Sequence, residues 1–185
     1  MNAIIGLLLF FLICFFEYLY TKKKKMKVYD KKQSISHLTN GLGQLMINAL
    51  VMQYLILFYI YLYNNFAFLK LDHSVLSIFF AILITDFCYY WAHRLSHRVN
   101  FFVAIHYVHH QAVDYNLLSA FRLPWFNRFV LFAFNLPLAF LGIDLKLLLA
   151  GAVLNSLVAT ISHSATIKRN LGFLEHFLEI GRAHV

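Results

Sequence analysis

Five histidines fall within eighteen residues of this chain, as His93-Arg-Leu-Ser-His97 and His106-Tyr-Val-His109-His110. At the chain's average histidine content, a window of that length holds about one. Positions i, i+3 and i+4 of a helix share a face, so His93 and His97 project together. His106, His109 and His110 form a second convergent set. Imidazoles crowded this closely repel when protonated, and neutral ones buried without partners strand polar groups. A shared metal resolves both problems; the rival reading is a set of structural histidines at helix ends beside a membrane.

Three further features bear on that chemistry. Asp86 lies seven residues before His93 and so on the same helical stripe, with Tyr89 and Tyr90 between. A carboxylate inside a span is costly unless used. Asp86 either accepts the second N–H of a ligand imidazole or pairs with Arg94 or Arg98. His163 follows the last apolar segment and returns to the side of the two histidine sets. His37, His73 and His176 have no comparable partners, and His73 falls on the opposite side of the membrane.

Ligand type constrains the metal. A zinc protease places Glu inside its histidine pair, as in H-E-x-x-H, whereas Arg94, Leu95 and Ser96 fill that interval here. Five imidazoles exceed what one catalytic zinc with an open position requires, which implies more than one metal. Iron suits a nitrogen-rich site that changes oxidation state. Cys14 and Cys88 sit in separate apolar segments and form neither a disulfide framework nor a thiolate site.

The elements that must position these residues are membrane helices. The 185 residues are 61% hydrophobic and 13% charged, against roughly half and a quarter in soluble domains. Apolar segments run over Ala3–Tyr20, about Leu45–Tyr63, about Val75–Trp91, Arg128–Leu141 and Leu145–Ile161. The fourth is short and carries Pro137, which predicts half of a hairpin. Glu17, near the end of the first segment, is predicted to snorkel or to be paired, without an assigned function. The fold class is therefore all-α, a multi-pass integral membrane bundle of about four to five segments. Thirteen Lys and Arg fall on one side of that bundle and only Lys70 and Lys146 on the other, with Arg182 set aside. The positive-inside rule then puts both histidine sets at the cytoplasmic surface. The net charge of +8 reflects these flanks, not a nucleic-acid face. Arg94, Arg98, Arg122 and Arg128 either anchor the bundle or grip a lipid head group.

The stretch Asp86-Phe-Cys-Tyr-Tyr-Trp-Ala-His93-Arg-Leu-Ser-His97, then His106-Tyr-Val-His109-His110, resembles the fatty acid hydroxylase / sterol desaturase superfamily, with its HRxxH and HxxHH boxes. Asn116 and Arg122 fit the segment after the second box, and His163 the next histidine. The run Tyr115-Asn-Leu continuing to Phe121-Arg122 looks most like the alkylglycerol monooxygenase-like branch. Leu171-Gly-Phe-Leu-Glu175 resembles the lead-in to a final HxxHH box, which is absent. The resemblance implies a membrane-bound di-iron oxidoreductase using O2 and an external reduced electron-donor protein on a lipid or sterol C–H bond. Carried over, His93, His97, His106, His109, His110 and His163 are metal ligands, with Asp86, Tyr90, Asn116 and Arg122 supporting them.

Residues 179–185 back-translate into a string that reads like a sequencing-library adapter, so His184 is discarded. The expected division is a first span with a basic loop over residues 1–32, a hydroxylase-like membrane domain over 33–178, incomplete at its end, and that tail. Two other classes stay open. A metal transporter places polar residues at mid-bilayer, and a membrane cytochrome sandwiches haem between single histidines on facing helices.

Overall fold

In the computed structural model, residues 3–164 are described, and among them the chain is helical with no strand. Helix α1 spans Ala3–Lys23 and ends where Lys22 and Lys23 meet its carbonyl terminus, a favourable placement for cations. Helix α2 runs over Lys31–Phe66, opened by Asp30, whose Oδ1 accepts from the Lys32 and Gln33 amides at 2.9 and 3.0 Å. Helix α3 covers Val75–Ser96 and is capped by Ser74. Helix α4 is Asn100–His110. A 3₁₀ turn at Leu117–Phe121 follows, capped by Asn116. Helices α5 (Asn127–Phe140) and α6 (Leu145–Ser162) complete the described chain.

Helices α1, α2 and α3 are each long and apolar enough to cross a membrane, whereas α5 and α6 are shorter apolar helices. Large side chains such as Leu8, Leu50, Leu57, Phe79 and Phe87 are exposed on the long helices, as expected of surfaces solvated by lipid rather than water. Helix α2 outruns the span expected at Leu45–Tyr63. Its 36 residues extend roughly 54 Å at 1.5 Å per residue, against about 30 Å of hydrocarbon. The helix continues because Lys31–Thr39 are compatible with it, although too polar to read as part of a span.

The chain forms two compact units, each drawn from separate stretches of sequence. One comprises Met1–Leu42, Val108–Leu123 and Val158–Val185; the other comprises Gly43–Tyr107 and Pro124–Leu157. In the first unit, Cys14 is buried with Leu117 and Leu118, and Phe10, Phe11, Tyr29 and Leu38 pack against them. Phe10 and Phe11 also place their rings 5.7 and 5.3 Å from Phe121. A Cβ on Gly41 would lie 2.1 Å from that Phe121 ring, so only glycine admits it.

The second unit is built on Tyr59, Ala81, Leu138, Ala139, Ile143, Leu147 and Leu148. The fully buried Tyr59 hydroxyl donates to the Ile143 carbonyl at 2.8 Å, which satisfies the one polar atom of that ring. Gly142 ends α5 at φ 81°, with Leu69 O only 2.2 Å from where a Cβ would sit. Both the left-handed conformation and the close approach demand glycine here.

Candidate metal centre

Spacing groups His106 with His109 and His110, but the structure places it with His93 and His97, because the α3–α4 turn brings it over the end of α3, and all three lie in the second unit. His93 stands in the last turn of α3 and His97 is that helix's C-cap, while α4 supplies His106. Their three rings make a near-equilateral triangle with centroids 4.8, 4.9 and 4.8 Å apart. One ligand nitrogen from each lies within 4.8 Å of the others. The Nε2 atoms of His93 and His97 are 3.3 Å apart. Two nitrogens bound at about 2.1 Å to one metal sit roughly 3.0–3.4 Å apart between cis-octahedral and tetrahedral angles. His106 is buried, His93 half-buried and His97 exposed, so the triangle has one open side.

Tyr89, one helical turn before His93, stacks on its ring at 6.1 Å with planes 17° apart. Tyr90 is the tyrosine that the family resemblance implies as a support for the site. Tyr90 instead receives a hydrogen bond from Arg94, whose guanidinium also lies over Trp91 at 5.3 Å. Asp86 is exposed and makes neither of the contacts considered for it. Ser96 is buried and donates to Ala92 O at 2.8 Å, closing the turn between His93 and His97.

A second group, His109, His110 and His163, belongs to the first unit. His109 and His163 are both buried, and their Nε2 atoms meet at 3.2 Å. The tautomers follow from the other side of each ring. His109 Nδ1 lies 2.8 Å from Arg122 O, and His163 Nδ1 lies 2.7 Å from Ala159 O. A carbonyl only accepts, so each Nδ1 carries a hydrogen, and in the neutral rings each Nε2 is the nitrogen with the lone pair. Two lone pairs facing at 3.2 Å require a cation between them, either a proton or a metal ion. Burial pushes the His163 pKa down. Imidazoles that donate Nδ1–H to backbone carbonyls are the usual form of metal-bound histidine.

Neighbouring residues fix these rings. Tyr115 stacks on His163 at 5.4 Å and 20°. His110 places its ring 5.8 Å from His109. Arg122 is buried, and its guanidinium donates to Val108 O at 2.7 Å, Ser36 Oγ at 2.6 Å and Gln111 Oε1 at 2.9 Å. It is therefore neither a lipid grip nor a surface anchor. Asn116 accepts from Ser119 N at 3.1 Å and donates to Val28 O, which binds the 3₁₀ turn to the loop after α1.

Of the residues read from the sequence, His93, His97 and His106 gather in one unit, and His109, His110 and His163 in the other. His176 and His184 lie outside the described residues. His37 is fully buried without joining either group. Tyr115 and Glu17 were not assigned roles from the sequence, since what they touch is distant along the chain.

An all-imidazole triangle together with a facing pair of imidazole nitrogens suits iron or another borderline transition metal better than calcium or magnesium, which take oxygen. Residues 78–185 match the fatty acid hydroxylase family. The chain belongs to that family. Alkylglycerol monooxygenase of Xenopus tropicalis is 39% identical over 83 residues, covering 44% of this chain and 19% of that protein. The Danio rerio alkylglycerol monooxygenase is 36% identical over 126 residues, 67% of this chain and 27% of its own length. The human one is 39% identical over 82 residues, covering 44% and 18%. This fatty acid hydroxylase chain thus falls in the alkylglycerol monooxygenase-like branch, and it spans about a quarter or less of the relatives it matches. No solved structure matches it.

Proposed function

We propose that this chain carries the iron-holding histidines of a membrane-bound, O2-dependent monooxygenase whose substrate class is an alkylglycerol-type lipid. His93, His97 and His106 hold one iron; His109, His110 and His163 hold the second. The observation that carries the reading is the approach of the buried His109 and His163 Nε2 atoms to 3.2 Å while each Nδ1 faces a backbone carbonyl. When bound, the irons supply the redox change and O2 activation that no side chain here provides. In balance, one C–H bond, O2, two electrons and two protons become an alcohol and water. The electrons come from a reduced donor protein on the cytoplasmic side.

The chain's own residues supply position and dryness. The Arg122 and Ala159 carbonyls hold the hydrogens on Nδ1, which keeps both Nε2 atoms available as donors. Tyr89 and Tyr115 fix the planes of His93 and His163 by stacking. Burial of His106, His109 and His163 excludes water. The exposed apolar helix faces lie in the same lipid phase in which an alkyl-chain substrate dissolves.

The test is metal content and turnover of the whole protein, purified in detergent and reconstituted anaerobically with ferrous salt. About two irons per chain without a Soret band, and O2-dependent consumption of an alkylglycerol, are expected. One haem per chain would identify a cytochrome, and loosely exchanging metal a transporter. Protein devoid of tightly held iron after reconstitution overturns the proposal.

A further inference from the structure

Glu17 is an ionisable side chain on a helix long and apolar enough to cross a membrane, and it is only 5% exposed. Such a group is costly in a span unless it is used. Its carboxylate collects donors from three distant parts of the chain. Oε2 accepts from the Tyr29 hydroxyl at 2.7 Å and the Leu117 amide at 2.8 Å. Oε1 accepts from Ser164 Oγ at 2.9 Å.

Two of these donors adjoin the second histidine set. Ser164 directly follows His163. Leu117 opens the 3₁₀ turn that leads to Arg122, whose carbonyl takes the Nδ1 hydrogen of His109. Tyr115, two residues before Leu117, stacks on His163. The loop after α1 ties down the same segment twice more, through Asn116 to Val28 O and through the Asp30 amide to Asp114 Oδ2 at 2.6 Å.

Apolar packing of Phe10 and Phe11 against Phe121 already joins α1 to the turn. Hydrophobic contact is non-directional. What a carboxylate adds is direction, because its two oxygens set two backbone segments at fixed distances from one point.

We infer that Glu17 is a positioning residue for the His109–His163 pair, pinning the two segments that carry and orient these imidazoles so that their Nε2 atoms meet at bonding separation. The inference rests on the reading of that pair as metal ligands.

The test compares Glu17→Leu, Glu17→Gln and Ser164→Ala with wild type and His109→Ala in the whole protein, loaded anaerobically with ferrous ion. The readouts are iron per chain, the rate of iron release to a chelator, and the unfolding temperature of the metal-free protein. Removing an outer partner of a metal ligand typically weakens binding about 10–100-fold. Glu17→Leu is expected to release iron at least about tenfold faster. Glu17→Gln should stay near wild type. Its Oε1 still accepts from Tyr29 and Leu117, and its Nε2 donates to the Ser164 hydroxyl. Ser164→Ala should release iron faster with a smaller drop in unfolding temperature than Glu17→Leu, and it keeps the test open if Glu17→Leu does not fold. Wild-type release from both Glu17→Leu and Ser164→Ala overturns the inference. So does Glu17→Gln releasing iron as fast as Glu17→Leu, since charge rather than geometry would then be at work. Wild-type iron retention in His109→Ala instead overturns the ligand reading on which the inference rests.

Discussion

His109 and His163 face each other through Nε2 atoms 3.2 Å apart, while each donates its Nδ1 hydrogen to a backbone carbonyl. Neither ring can donate to the other in that arrangement, so the contact repels unless a cation lies between. His163→Ala and His106→Ala are each expected to lose about one of two bound irons, and the double variant both. Turnover should fall at least about a hundredfold in each single variant, the upper end for lost metal-site groups. Iron determination and lipid turnover on the same samples check this. Full iron content in His163→Ala would remove the pair from the site.

The two boxes were legible because helical periodicity aligns His93 with His97 and groups the histidines of His106–His110, but it does not show that His106 joins His93 and His97 rather than His109 and His110. The tautomers were not legible, since they depend on carbonyls at Arg122 and Ala159 that no local pattern announces. Tyr89 and Asp86 lie four and seven residues before His93, on one stripe; sequence favoured the carboxylate, whereas the flat ring is what stacks there. Glu17 gave only an expensive charge in an apolar run. Its Leu117 and Ser164 partners stand 100 and 147 residues away, beyond any periodicity. The starts of α1 and α3 and both ends of α5 and α6 lie within one residue of the expected apolar runs, but α1 and α3 continue past Tyr20 and Trp91, and α2 begins well before its apolar stretch, because helix formation tolerates polar residues where a membrane does not.

Gly151 lets α6 approach α3 closely. A Cβ there would lie 2.7 Å from Thr85 Cβ, a rigid part of a β-branched side chain. Gly151→Ala should therefore destabilise the protein by about 1–3 kcal/mol through overpacking, despite alanine's better helix propensity. A lowered unfolding temperature in detergent is the expected result. A raised one would show that the two helices separate at no cost.

Asp144 caps α6, its Oδ1 accepting from the Leu147 amide at 2.8 Å, and its Oδ2 meets His73 Nε2 at 2.8 Å. Burial pushes its pKa up, but the Leu147 amide and His73 outweigh that, leaving the carboxyl below its ordinary value. A carboxyl depressed on folding stabilises the fold above its unfolded pKa of about 3.9 and loses that contribution as pH falls through the folded value. Asp144→Ala should cost about 1 kcal/mol at pH 7, and its deficit relative to wild type should shrink as pH falls through the folded carboxyl's lowered pKa. His73→Ala should cost less, about 0.2–1 kcal/mol, as the pair is solvent-exposed. Denaturation curves across pH decide; a deficit constant with pH would detach Asp144's charge from its effect.

Arg122 separates the two cationic side chains cleanly. Its Nε and two terminal nitrogens donate in three directions, to Val108 O, Ser36 Oγ and Gln111 Oε1. A planar guanidinium reaches all three at once, whereas an ammonium on a flexible stem is a single point. Arg122→Lys keeps the charge yet leaves at least one buried acceptor without its donor, at about 1–3 kcal/mol for each group stranded. The backbone carbonyl that orients His109 belongs to the same residue, so a shift of this segment also moves a ligand. Arg122→Lys should therefore lower unfolding stability by about 2–3 kcal/mol and speed iron release together. Chemical denaturation and chelator kinetics measure the two independently. Were Arg122 a grip for lipid phosphate, lysine would substitute well, and wild-type behaviour of Arg122→Lys on both measures would show that the fork has no structural part to play.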